Sequence, residues 1–312
     1  IISLDNFIEA ADPVIGYSQA ELNDFVADYV GENKQFDKAK SFKGLPFNKS
    51  TEVMFYNKDF FDHFELTVPK TWAELETLTV IIHQFDGKYT ESVYRENGVL
   101  DLQRGLLKFT EDAKAKEAFT YLQNISKDNV MNLPVVWEGD YGSNFFTAGQ
   151  ILMNVGSTAG ASHYSAAKSA IGVAPIPYKD ADHKYVIQQG TNVAIFSQAS
   201  DMEKLAAWLF IKHCLTPENT TYFATSTGYL PVRQSAYDTD EYKEFLAREN
   251  DLVAKVHAAT TEYAEGWNFF IDPAWSGSSA VREEVELAAI HILVNGVDVK
   301  KAFDDAKSRY GK

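Results

Sequence analysis

The sequence predicts an α/β fold, on three observations. Segments of helical periodicity alternate with short, apolar strand segments along most of the chain. Those strand segments, Ile171-Gly-Val-Ala among them, lack the polar alternation of strands with one wet face. The chain also has 312 residues, 45% of them hydrophobic and 13% aromatic, enough for one large or two medium domains. Strands of this kind are expected to form mostly parallel sheets.

The elements follow in order. Residues 18–30 read as a helix, capped by Ser18, with Leu22, Phe25, Val26 and Val30 on its apolar face. Glu52 to Tyr56 reads as a strand closed by the polar break Asn57-Lys-Asp59. Residues 71–82 read as a helix with Thr71 and Glu74 as a capping box. Residues 110–125 form another, capped by Thr110. Phe145 to Val155 is a helix end, a glycine turn and a buried strand. Ile171 starts a strand stopped by prolines, and Val186–Phe196 is a strand interrupted by Gly190. Helices are expected over 201–214, over 217–225 with Pro217 at the first position, and over 241–260, 278–293 and 298–309. There are no internal repeats or low-complexity tracts.

Composition excludes several roles. Net charge is −15, so the basic footprint of a nucleic-acid binder is missing. Cys214 is the only cysteine, which forbids an internal disulfide, and its apolar surroundings suggest a buried residue. No apolar run approaches the about 18 residues of a membrane span. No signal peptide opens the chain, which reads as an internal sequence. The seven histidines (63, 83, 163, 183, 213, 257, 291) are dispersed without metal-ligand spacing. Asp180-Ala-Asp182-His183 is a weak metal-like cluster that also reads as a solvated turn. No nucleophile elbow, P-loop or dinucleotide motif exists, so neither a catalytic residue, a metal nor a cofactor is assigned.

The order strand, Tyr56-Asn-Lys-Asp59, short helix, Pro69-Lys-Thr-Trp72-Ala-Glu-Leu75 resembles the extracellular solute-binding proteins of ABC importers, of the type that carries maltodextrins, other sugars and glycerol 3-phosphate. Further stretches match in the family's order. They are Phe145 to Met153, Ile171 to Pro177, Gln188 to Ile195, Leu205 to Asn219, Thr227-Gly-Tyr-Leu-Pro231 and Asn295 to Ala302. The resemblance implies a two-lobed periplasmic-binding-protein fold of type II, with a ligand cleft between lobes joined by crossover hinge strands. The lobes would be 1–48 with 193–246, and 49–192 with 247–312. The crossovers would lie near Lys49–Met54, Gln189–Val193 and Tyr242–Leu246. The family's opening strand–helix–strand has no counterpart before Leu4, and a cleft-lining segment after the Trp72 helix has none near Val80–His83.

A polyol cleft needs aromatic faces, hydroxyls and backbone N–H groups, and helix N-termini can hold an anion. Three places fit. Ser157 and Thr158 would open a helix after a buried strand, as ligand donors or as an ordinary cap. Trp275 could stack on a ring or pack in the lobe core. Ser278 or Ser279 would cap the following helix, whose Arg282 could face ligand or pair with Glu286. Gly190 and Thr191 with Tyr229 offer close backbone approach, a hydroxyl and a ring; the alternatives are a β-bulge and a packed loop aromatic. Ser50 and Thr51, with Asn48, lie on the first crossover and could reach ligand or merely start a strand. Trp137 is a weaker aromatic candidate. Gly190→Val is expected to weaken binding at small cost to the fold.

The function expected is the periplasmic or extracellular receptor of an ABC importer, a membrane-anchored lipoprotein if the source is Gram-positive. It would capture a sugar or oligosaccharide by hinge closure and deliver it as a monomer to the permease transmembrane subunits, without nucleic acid or covalent chemistry. Glycerol 3-phosphate or a glycerophosphodiester is the alternative ligand. The arginine that phosphate binders place before the last cleft helix has no counterpart near Ala274. The rivals from other classes are a secreted carbohydrate-active enzyme, which would need a facing carboxylate pair, and a receptor or adhesin module with no small ligand.

Overall fold

The computed structural model describes residues 1–70, 82, 84, 86–88, 90–95, 100–127, 133, 141–264 and 266–310. The expected helix over 71–82, its Trp72 and Trp137 lie outside or largely outside that set. The described strands are β1 Leu45–Ser50, β2 Glu52–Asn57, β3 Thr90–Tyr94, β4 Leu100–Leu107, β5 Met153–Ser157, β6 Ile171–Ala174, β7 Tyr185–Ile187, β8 Gln189–Val193 and β9 Asn268–Phe270. The chain divides into two compact units. Unit 1 comprises Ile1–Thr51, Tyr94–Leu100 and Gln188–Ala258; unit 2 comprises Glu52–Val93, Asp101–Ile187 and Ala259–Lys312.

The sheets correct one expectation. β1 pairs with β8, and β2 with both β5 and β6, all antiparallel; β7–β9 is parallel. Apolar strands report coverage on both faces, and that coverage does not fix strand direction.

Unit 1 is built around Trp208, on the helix Asp201–Cys214. Its indole stacks on Phe7 at 5.4 Å, meets Tyr17 edge-on and donates Nε1–H to the Ile15 carbonyl at 2.8 Å. Leu4, Ile8, Phe25, Tyr29, Leu45, Ile195, Ile211, Leu215 and Val232 complete this core. Arg233 is buried inside it. Its guanidinium lies 3.5 Å above the Phe25 ring and donates to the carbonyls of Leu215 and Glu21, both at 2.6 Å. Those bonds offset much of the cost of burying the charge. They also explain why the helix expected over 18–30 is broken. The capping box at Ser18 and Glu21 is present, but the helix stops at Asn23. There Phe25 bridges to Arg233, and Val26 N–H reaches the Val232 carbonyl. A second helix, Ala27–Glu32, then restarts.

The helix expected over 241–260 is likewise two, Asp240–Leu246 and Leu252–Thr261. The Asp251 carboxylate accepts from the N–H groups of Val253 and Ala254, a cap that restarts the chain. The second helix carries His257, wholly buried. Its Nε2 faces the Thr227 carbonyl at 3.2 Å, so this nitrogen carries the proton. Its Nδ1 therefore accepts from the Tyr242 hydroxyl at 2.8 Å. Cys214 is half-buried rather than buried.

In unit 2 the Phe55 ring stacks on Tyr164 at 3.7 Å, and Asn154 Nδ2 donates to the Tyr164 hydroxyl at 2.5 Å. Phe109, Phe119 and Phe303 form an edge-packed trio that joins the helices Ala113–Lys127 and Val299–Tyr310. The first of these helices is capped by Asp112, whose carboxylate accepts from Lys114 and Ala115, and not by Thr110. Tyr263 is a buried clasp. Its hydroxyl donates to the Glu52 carbonyl at 2.7 Å and accepts from Ile176 N–H at 2.8 Å.

Two stability predictions follow from these buried groups. Tyr263→Phe leaves Ile176 N–H without its acceptor, and should cost about 1–3 kcal/mol in urea unfolding. Burial pushes the His257 pKa down to about 4, opposed by the hydrogen bond to Thr227. Between the ordinary histidine value and that one, the unfolded chain binds more protons than the native one. Stability should therefore fall as pH drops from about 6.5 to about 4, by roughly 3 kcal/mol from this residue. Urea midpoints across that range should show a shallower acid limb in His257→Gln than in wild type; parallel limbs would contradict it.

Candidate functional site

In unit 1 the β1–β8 ladder brings five candidates into one neighbourhood. Ser50 pairs with Gln189, Lys49 with Gly190, and Asn48 with Thr191. The register slips between Pro46 and Asn48, leaving Phe47 as the extra residue of a bulge. Gly190 has φ +98°, and a Cβ there would lie 2.0 Å from the Asn48 carbonyl oxygen and 2.8 Å from Lys49 Cα. The expectation that Gly190→Val costs the fold little is therefore wrong. Any side chain at 190 must break the ladder or strain the backbone. Thr191 donates its N–H to Asn48 Oδ1 at 3.1 Å, and its hydroxyl bonds the same oxygen. Ser50 and Thr51 are buried. The loop at Tyr229 is tied to the same strand, since Leu230 N–H donates to the Lys49 carbonyl at 2.6 Å. The Tyr229 ring stacks on Phe223, which also packs on Phe47.

Beneath this ladder lies a polar cluster that sequence reasoning missed. Lys49 has 0% exposure, and its ammonium meets Glu32 Oε2 at 2.6 Å. Gln188 Nε2 donates to the same oxygen at 2.7 Å, and Asn192 Nδ2 donates to Oε1 at 2.9 Å. Asn192 Oδ1 accepts from Asn33, which also bonds the Tyr29 carbonyl. Burial lowers the Lys49 pKa, and the hydrogen bond and charge of Glu32 oppose that shift. The buried Oε1 of Gln188 has no hydrogen-bond partner among the described residues. Lys49 sits in the polar run Asn48-Lys-Ser50 of β1, which carries no local sign of a buried charge.

Unit 2 holds the other five candidates. Ser157 ends β5 opposite Glu52 and caps the 3₁₀ turn Thr158–Tyr164, accepting from Ala159 N–H. Thr158 is fully buried. Trp275 is 8% exposed and lies against two glycines. A Cβ on Gly105 or on Gly277 would fall 2.1 Å from its indole. Tyr310 meets it edge-on. The helix Ser278–Ala289 starts after Gly277, with no side-chain cap. Ser278 and Ser279 therefore sit inside the helix, because Gly277 occupies the cap position. Arg282 pairs with Asp272 at 3.0 Å rather than with Glu286.

The Asp180–His183 stretch is a turn. Asp182 N–H and His183 Nδ1 both meet Asp180 Oδ1, while His183 Nε2 meets Asp86 at 3.1 Å. Hydrogen bonding to Asp180 raises the His183 pKa. No metal-holding cluster exists among the described residues, and no helix among them is long and apolar enough to cross a membrane.

The description of a bacterial extracellular solute-binding protein family matches residues 4–250. The sn-glycerol-3-phosphate-binding periplasmic protein UgpB of Yersinia pestis is 25% identical over 263 residues, covering 75% of this chain and 58% of that protein. Its counterpart in Escherichia coli K12 is 26% identical over 287 residues, covering 82% and 61%. The chain thus spans about three-fifths of the length of these relatives. Among solved structures, UgpB from Mycobacterium tuberculosis in complex with glycerophosphocholine superposes with a TM-score of 0.74 at 21% identity, covering 99% of this chain and 78% of that one. The cyclic alpha-maltosyl-1,6-maltose binding protein from Arthrobacter globiformis gives 0.71 at 18%, with 99% and 78% covered. Maltose-bound T. maritima MalE3 gives 0.68 at 16%, with 98% and 80% covered. The fold is the α/β, two-lobed periplasmic-binding-protein fold of type II.

Trp275 supplies a direct test of packing. Trp275→Ala should cost about 3–5 kcal/mol in urea unfolding, because the indole fills the space that Gly105 and Gly277 leave. A loss under about 1 kcal/mol would free the ring for a role at the surface.

Proposed function

The chain belongs to the family of bacterial extracellular solute-binding proteins, and from that premise we propose that it is the substrate-binding component of an ABC importer whose solute is a neutral carbohydrate. The family match over residues 4–250 carries the receptor role. The state of the cations supports a neutral solute. Arg282 and Lys49, two cations at or beside the candidate contacts, are each held by a carboxylate, Asp272 and Glu32. A phosphate would have to compete with those carboxylates in a protein of net charge −15.

Ser50, Thr51, Gly190, Thr191 and Tyr229 on unit 1 are the proposed solute contacts there. Ser157, Thr158, Trp275, Ser278 and Arg282 are those on unit 2, Trp275 and Thr158 acting mainly by packing. We take units 1 and 2 as the two lobes of the receptor. The protein acts outside the cytoplasmic membrane, as a monomer that hands its solute to the permease subunits, and as a lipoprotein in a Gram-positive source. It binds without catalysing, and takes neither cofactor nor nucleic acid.

A second reading has its own support. The sequence relatives named above are called sn-glycerol-3-phosphate-binding proteins, and one structural neighbour is in complex with glycerophosphocholine. Calorimetry against maltose, maltotriose, glycerol 3-phosphate and glycerophosphocholine decides between them. The expected outcome is binding of a neutral sugar, with a melting temperature that rises with its concentration; at a hundredfold excess over Kd, native-state binding adds about 2.7 kcal/mol. Binding of the phosphate compounds alone would overturn the carbohydrate assignment. Release of new reducing ends from maltotriose would overturn the non-catalytic one.

A further inference from the structure

We propose that the Glu32 carboxylate, with Lys49, Gln188 and Asn192 gathered on it, positions the solute-contacting residues of unit 1, so that Lys49 and Glu32 set solute affinity without touching solute. This rests on the receptor role proposed above. Three side chains from two stretches of chain converge on one carboxylate at the end of the helix Ala27–Glu32. Each is next to, or close to, a candidate contact. Lys49 precedes Ser50 and Thr51, while Gln188 and Asn192 bracket the run that contains Gly190 and Thr191.

Side chains alternate along a strand. Directing Lys49 to Glu32 therefore turns Ser50 to the opposite face of β1, and directing Asn192 to Glu32 does the same for Thr191 on β8. The chain passes from unit 1 to unit 2 after Thr51 and returns at Gln188. One carboxylate thus anchors two of the passages, within two residues of each.

The chemistry argues for positioning over plain stability. A buried ion pair is commonly no more stabilising than an apolar pair of the same shape, whereas it demands one geometry. Here the demand is strict, because Gln188 already has a buried acceptor with no partner among the described residues. Lys49, for its part, donates to the Glu32 carboxylate. Losing Glu32 leaves the buried Lys49 ammonium without its carboxylate, and losing Lys49 leaves the half-buried Glu32 held by Gln188 and Asn192 alone; either loss frees β1 to shift against β8. Gly190 marks how closely the strands approach, since a Cβ there would lie 2.0 Å from the Asn48 carbonyl oxygen and 2.8 Å from Lys49 Cα.

The test uses the full chain and the variants Lys49→Met, Glu32→Gln, the Lys49→Met/Glu32→Gln double, and Lys301→Met as an exposed control. Solute affinity is measured by calorimetry with maltose, glycerol 3-phosphate and glycerophosphocholine on protein shown to be folded. Amide exchange is followed over residues 48–52 and 188–192. In folded Lys49→Met, affinity should weaken and exchange in both segments should speed up, each by about tenfold. The double variant should recover much of the affinity, since no buried charge is left unpaired. A purely structural pair would lower stability and leave the affinity of the folded fraction and the exchange in these segments as in Lys301→Met; that result overturns the proposal. If Lys49→Met does not fold, Gln188→Met takes its place, with a weakening of about threefold expected and unchanged affinity and exchange overturning the idea. Wild-type protein that folds but binds none of the three probes overturns the receptor reading for these solutes, and the exchange data still decide the positioning role.

Discussion

Unit 1 depends on the close approach of β8 to β1 at Gly190. The two strands meet so tightly there that one residue has no room for a side chain and must adopt a positive φ. The candidate contacts of unit 1 cluster around that approach. The Thr191–Asn48 bonds, the Leu230–Lys49 bridge and the Ser50–Gln189 pairing each use the ladder's register. A slip of one residue would turn Lys49 away from Glu32 and put Ser50 on the face that Lys49 now occupies. The bulge at Phe47 absorbs the surplus residue on β1 and lets that ring pack on Phe223. The backbone and the buried charge thus enforce each other.

The same logic governs the other buried polar groups. Arg233, His257, Trp208 and Tyr263 each place a polar tip against a main-chain carbonyl far away in sequence. A carbonyl in a loop or at the end of a strand or helix can lack a regular partner, and an isolated polar side chain cannot be buried cheaply. Joined, they satisfy both needs and fix the loop to the core. His257 does this only as the neutral imidazole, donating to Thr227 and accepting from Tyr242. Its depressed pKa is the electrostatic record of a site built for a neutral ring.

Much of this was legible in the sequence. The strands at 52 and 171, the helices at 201–214 and 217–225, and the cap at Ser18 were readable, because hydrophobic period and cap chemistry are local. What failed was where distant partners decide. The break after Asn23 is made by Arg233, more than two hundred residues on. The break before Leu252 was signalled by Asn250-Asp251 and misread as helix interior. Strand direction was misjudged because apolar content does not encode it. Among the candidate site residues, the glycine and hydroxyl positions could be named from motif order. The Glu32 cluster could not, since its members lie 17 and 156 residues apart and none is unusual alone.

Charge placement ties the fold to the choice of solute. A receptor for an anion gains most from cations that are desolvated but not yet neutralised, or from helix N-termini left open. This chain does the reverse at the positions where it can be read. Lys49 is buried, yet its charge is spent on Glu32, and Arg282 is spent on Asp272. The start of the helix Ser278–Ala289 is the exception, since its glycine cap carries no side-chain acceptor and leaves the N–H groups open. In the proposed site Lys49 and Arg282 would therefore serve geometry, holding strands and loops in place, and leave hydroxyls, amides and backbone for the solute. Such groups discriminate by the direction of hydrogen bonds, which suits a polyhydroxylated ring better than a point charge. That preference arises from the way the fold satisfies its own buried charges.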